Sequence, residues 1–109
     1  DQNLLANTAA MGVRLRARLE ELKDKYALIG DVRGMGLMQA IELVRDRRTK
    51  EPAPQETAAL MEAARENRLL IGKGGLYGNV IRISPPMNIG PADVDEFARL
   101  LDGAFSACS

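Results

Sequence analysis

Apolar residues return every three or four positions over the first quarter of the chain: Leu4, Met11, Leu15, Leu19, Leu22 and Tyr26, with Thr8 filling the gap. That spacing draws one stripe along a helix and leaves Arg14, Arg16, Arg18, Glu20 and Lys23 largely outside it. The helix is expected to end near Lys25, because "ALIGDVRGMG" follows with Gly30, Gly34 and Gly36. "LIGDVR" and "GLMQAIELV" then read as two strands joined through the Gly34-Met35-Gly36 turn. The second is nearly continuous in apolar residues, broken by Gln39 and Glu42, so both of its faces are expected to be covered or half covered.

The pattern changes at "RDRRTKEPAP", a charged, proline-bearing surface loop. Its cations Arg45, Arg47, Arg48 and Lys50 are interleaved with Asp46 and Glu51, which favours a solvated loop over an anion site. A second helix over about residues 55–67 presents Thr57, Leu60, Met61, Ala64 and Arg68 on one side. "RLLIGKGG" runs into a strand and "NVIRIS" forms another, which Pro85-Pro86 ends because neither proline can donate to a ladder. Pro91 opens a final helix, with Asp93, Asp95 and Glu96 at its positive end. Its apolar face is Val94, Phe97, Ala98, Leu101, Ala104 and Phe105. The order α-β-β-α-β-β-α predicts the α+β class: a two-layer sandwich of a small, mostly antiparallel sheet with helices on one face. Residues 1–109 read as a single domain.

Composition narrows the chemistry. Fifteen basic and fifteen acidic residues cancel to a formal charge of zero, whereas a nucleic-acid binder draws most of its affinity from excess positive charge. The absence of histidine removes imidazole general-base chemistry from this chain, and with one cysteine, Cys108, no zinc or haem site is expected. No apolar run approaches the roughly 18 residues needed to cross a bilayer. A cytoplasmic setting with no membrane or nucleic-acid partner is the expectation. The chain begins at Asp1-Gln2 already in helical pattern, which fits a processed start or one domain of a longer polypeptide.

"IGKGGLYGNVIRISPP" holds the most distinctive chemistry. Its Gly72-Lys73-Gly74-Gly75 matches the G-x-x-G loop of KH domains, but that loop must lead into a helix. Here Gly78, the β-branched Val80, Ile81 and Ile83, and the two prolines veto one. What remains is a glycine-rich hairpin that delivers Arg82 into "VIRIS". Alternation sends Arg82 away from the face that Ile81 and Ile83 occupy. An internal salt bridge, an exposed edge arginine and a carboxylate ligand all fit that spacing.

"DVRGMGLMQAIELV", "GKGGLYGNVIRISPP" and "PADVDEFARLLDGAF", taken together and in this order, resemble the C-terminal small domain of class III aminotransferases. These form the ω-transaminase branch of the fold-type I pyridoxal-phosphate enzymes, and the likeness is greatest to the alanine–glyoxylate aminotransferase 2-like group. The resemblance implies that Arg82 receives the carboxylate of an amino acid or keto acid substrate. Lys73, Gly74 and Gly75 are weaker substrate-site candidates, and the Arg33-Gly34-Met35-Gly36 turn would face the same side. It also implies a parent enzyme that is a homodimer or homotetramer, with pyridoxal 5'-phosphate held by a large domain. No catalytic, cofactor-binding or metal residue is assigned within this chain, which is expected neither to bind the cofactor covalently nor to transaminate by itself. A non-catalytic ligand-sensing or protein-interaction module is the alternative, with Arg82 then structural.

Overall fold

The computed structural model describes residues 2–66, 71–74, 78–85 and 88–108; for residues 2, 65, 66, 71–74 and 108 it describes the backbone alone. The first element, α1, runs Gln2–Lys25, and its expected stripe is the side that packs: Met11, Leu15, Leu19 and Leu22 are all buried. Its last carbonyls lack intrahelical partners by construction. The guanidinium of Arg47 satisfies one of them, donating to the Lys23 carbonyl, and also reaches the carbonyls of Tyr26 and Ile29 in the segment that follows.

Strands β1 (Ile29–Met35) and β2 (Met38–Asp46) pair antiparallel and turn tightly between Met35 and Met38. Gly36, at φ 55°, makes the turn with Leu37 in place of the expected Gly34-Met35-Gly36. Gly34 lies within β1 at φ 148°, where a Cβ would lie 2.1 Å from the Met38 carbonyl oxygen. The charged loop carries a two-residue strand, β3 (Glu51–Pro52), on the end of β2, so part of the expected loop is ladder. Helix α2 (Pro54–Glu66) starts with proline at its first position, where no N–H is required. Its buried Thr57 hydroxyl donates back to the Ala53 carbonyl at 2.8 Å, and Leu60 and Ala64 are buried with it. Arg68, expected on the same side, lies outside the described residues.

Strands β4 (Ile71–Gly74) and β5 (Val80–Ile83) are antiparallel, and β5 pairs with β2, giving the sheet order β1-β2-β5-β4. A strand follows the G-x-x-G sequence where a KH domain needs a helix. Helix α3 (Pro91–Cys108) opens with Asp93 accepting the Gly90 N–H at 3.1 Å and packs against both α1 and α2. Its Val94, Leu101, Ala104 and Phe105 join the cluster formed by α1, α2 and the sheet. These elements realise the expected α+β sandwich, with β3 as the one addition to the element order.

The helices cover one side of the sheet, while on the other side burial is limited to one end, at Val44 and Val80. Ile41 and Leu43 of β2 and Ile81 and Ile83 of β5 are at most 1% exposed beneath the helices. Alternate residues point the other way, and there Met38 is 70% exposed and Arg82 is exposed. The expectation that both faces of β2 are covered or half covered agrees with Ala40 and Glu42, which are half-buried, and with Val44, which is buried. Met38, beside the turn, is the residue on that face left in solvent.

Candidate functional site

Arg82 sits on the open face because strand alternation leaves it no other place between two buried isoleucines. Its position along the strand is fixed by Asn79. That side chain is 3% exposed, and its amide donates to the Leu43 carbonyl at 2.9 Å, while Leu43 N–H donates to the Asn79 carbonyl at 2.8 Å. One buried residue thus closes both sides of the β2–β5 ladder just before Val80. The sequence reading put Asn79 at the start of the strand "NVIRIS" and gave it no role in fixing the ladder. Its signal was weak, since an asparagine after glycine reads first as a turn residue.

Registry supplies the neighbours of Arg82. Ala40 of β2 lies opposite it on one side and Gly72 of β4 on the other. The two smallest residue types therefore flank Arg82 across the ladder, and neither crowds its approach from solvent. Among the described residues no hydrogen bond or ion pair engages it. An arginine without a partner on an uncovered sheet face presents its planar fork of donors outward, the geometry that takes a carboxylate through two parallel bonds. The expectation that burial would force a partner on Arg82 does not apply, because the residue is exposed.

One strand further, on the same face, lies Arg33, opposite Ala40. It donates to Glu42 at 3.0 Å and to Asp31 at 3.3 Å, and these contacts raise its pKa, the Glu42 hydrogen bond foremost. The turn next to Arg33 ends in Met35 and Met38, both exposed. Of the weaker candidates, Lys73 takes the register of Ile81 rather than that of Arg82, and Gly74 lies opposite Val80. The Lys73 side chain and all of Gly75 lie outside the described residues.

The remaining charge clusters are occupied with structure. Asp95 holds Arg14 through two bonds, at 3.0 and 2.7 Å, and also Arg18 at 3.2 Å, tying α3 to α1. The Arg14 hydrogen bond leads in lowering its carboxyl to about 2. Lys25 and Tyr26 both engage Asp102, and Tyr26 stacks on Phe105. Arg45, read as a solvated loop cation, pairs with Glu56 on α2. A hollow of about 510 Å³ lies beside Tyr26, Leu28 and Arg45, but the charges lining it are already matched by these pairs. Among the described residues no three His, Cys, Asp or Glu side chains gather as metal ligands, and no helix is long and apolar enough to cross a membrane.

With this geometry in place, comparison with known proteins becomes informative. The sequence model of the family described as aminotransferase class-III matches residues 1–105. A protein named alanine–glyoxylate aminotransferase 2 homolog 2, mitochondrial, from Arabidopsis thaliana is 45% identical, with 96% of this chain and 22% of the relative covered. An alanine/serine racemase from Pyrococcus horikoshii is 40% identical over 80% of this chain and 18% of its own length. Among solved structures, a PLP-bound amine transaminase from an uncultivated Pseudomonas species superposes with a TM-score of 0.87 at 32% identity, covering 99% of this chain and 24% of that one. The chain thus spans about a quarter or less of the length of these relatives. In sequence and in fold alike, the 109-residue chain belongs to the class-III aminotransferase family.

Proposed function

We propose that this chain is the C-terminal small domain of a pyridoxal-phosphate-dependent aminotransferase, and that it contributes recognition of the substrate carboxylate through Arg82. The observation that carries the reading is the exposed guanidinium, without a partner among the described residues, between Ala40 and Gly72 on the sheet face that the helices leave open. Amino-group transfer between an amino acid or amine and a keto acid needs the substrate held at a point remote from the reacting amine. A bidentate arginine fixes both position and orientation there, and its hold strengthens as water is excluded.

The described residues do not fit the cofactor itself. The N-terminus of α3 would suit a phosphate, but the Asp93 carboxylate already occupies the Gly90 N–H. At α2 the first helical position is Pro54, which has no N–H, and Glu56 adds negative charge. Lys25, the described lysine with a defined partner, is held by Asp102. Groups that hold pyridoxal phosphate therefore belong, in this reading, to a large domain of the same polypeptide, and the parent is a homodimer or homotetramer. A reducing, cytoplasmic compartment is consistent with the single cysteine; fractionation of cells would test it, the Arabidopsis relative's name pointing to mitochondria instead.

The racemase relative favours one competing reading, in which the same carboxylate anchor serves inversion at the α-carbon. Product analysis of the full-length enzyme separates the two: transfer yields a new keto acid, inversion yields only the enantiomer. Arg82→Gln tests the anchor in either case. Losing two charge-assisted bonds, each worth about 1.5–3 kcal/mol, should raise KM for a carboxylate substrate at least tenfold. An unchanged KM with lost stability would instead support the non-catalytic module.

A further inference from the structure

Two arginines share one cross-strand row of the open face, Arg33 and Arg82, with Ala40 between them. Among the described residues only Arg33 has partners. Glu42 explains the asymmetry: it is opposite Val80, so it stands diagonal to Arg82 as well as to Arg33. Diagonal neighbours on a sheet are roughly 7–8 Å apart at Cβ, a gap that long side chains close. Glu42 could therefore serve either arginine, and it bonds to Arg33 at 3.0 Å. Were Arg33 absent, the carboxylate would have two other cations in reach of its surroundings. One is Arg82; the other is Lys50, which lines a hollow of about 200 Å³ together with Asp31 and Glu42, whereas Arg47, on the same hollow, is already engaged by the carbonyls of Tyr26 and Ile29.

We infer that Arg33 is a positioning residue that holds Glu42 away from Arg82 and so keeps Arg82 open to an external carboxylate. The inference rests on the carboxylate-anchor reading of Arg82 and deepens it. Glu42 is an internal carboxylate at the right range to compete with the substrate, and Arg33 neutralises that competition. Asp31 assists, since it gives Arg33 a second bond on the side away from Arg82. A neutral Arg33 substitute would free Glu42 to swing across the face. A substrate carboxylate would then have to displace it.

The test uses the full-length enzyme with pyruvate as the carboxylate probe and propylamine as an amine donor that lacks one. Arg33→Gln should raise KM for pyruvate about threefold to fivefold, the competition an exposed ion pair can exert, with kcat and the KM for propylamine little changed. Adding Glu42→Gln should restore the pyruvate KM, and Glu42→Gln alone should leave it equal or lower. Arg33→Lys, which keeps the cation, should retain the parental value and stands in if Arg33→Gln folds poorly. Rescue specific to the carboxylate probe is what a merely structural role for Arg33 would not produce. The inference is overturned if the pyruvate KM ignores Arg33→Gln, if the double variant stays impaired, or if Glu42→Gln alone raises it. Arg82→Gln, assayed alongside, keeps the two claims separate: sensitivity there with no effect at Arg33 sinks this inference alone, and indifference at Arg82 sinks the anchor reading itself.

Discussion

Replacing Gly12 by alanine should destabilise the protein even though alanine is the better helix former. Gly12 is buried inside α1, and a Cβ there would lie 2.7 Å from both the carbonyl carbon and oxygen of Gly36 and 2.9 Å from its Cα. All three are backbone atoms of the β1–β2 turn, so relief requires the helix and hairpin to separate. Such overpacking costs about 1–3 kcal/mol, against a helix-propensity gain of about 0.8–1.0 kcal/mol. The net loss is about 1 kcal/mol, which lowers Tm by roughly 4–8 °C in a domain of this size. Gly103 provides the control within the same molecule. It is exposed in α3 and nothing lies within 4 Å of its added Cβ, so Gly103→Ala should gain about 0.4–1 kcal/mol. Thermal and urea unfolding followed by circular dichroism on both variants reads the difference directly. Opposite signs are expected. If Gly12→Ala unfolds at or above the parental temperature, the close contact between α1 and the turn is wrong.

Two further outcomes follow from the charges. Asp95 has its carboxyl lowered from 3.8 to about 2, chiefly by the Arg14 hydrogen bond. A depressed carboxylate stabilises the fold above its unfolded pKa and loses that contribution as pH falls through the folded one. Asp95→Asn should therefore be less stable than the parent near neutrality, with the gap closing between about pH 4 and pH 2; a gap independent of pH would reject the α1–α3 ion pair. The second concerns the cofactor. Incubation of the 109-residue chain with pyridoxal phosphate, then borohydride reduction, should leave no stoichiometric lysine adduct by mass spectrometry. A single saturable adduct would show that this chain holds the cofactor.

Periodicity carried α1, α2 and α3 in the sequence because each buries one stripe, and a stripe is a local pattern. Leu15, Leu19 and Leu22 announce their helix without reference to the rest of the chain. Arg82 was equally legible as a residue opposed to its isoleucine neighbours. Its surroundings were not, since Ala40 and Gly72 become its neighbours only through strand registry. The same distance in sequence hid Arg47. Read as one cation in a solvated loop, it caps α1 by reaching carbonyls 18 to 24 residues upstream. The apolar run of β2 was legible as a strand covered or half covered on both faces, but which residue of it stays in solvent was not: Met38 is exposed, whereas Ala40 is half-buried and Val44 buried. Arg33 and Glu42 appeared in the sequence as a turn residue and an interruption, and antiparallel pairing makes them a pair.

The central claim is that Arg82 grips the substrate carboxylate, and discrimination between substrates tests it most directly. In the full-length enzyme, kcat/KM should be measured for an amino acid donor and for its carboxylate-free amine counterpart, before and after Arg82→Gln. Loss of the two charge-assisted bonds, about 3–6 kcal/mol together, predicts a fall of roughly a hundredfold or more for the amino acid, with the amine nearly unaffected. An equal fall for both donors, or none for either, would contradict the account.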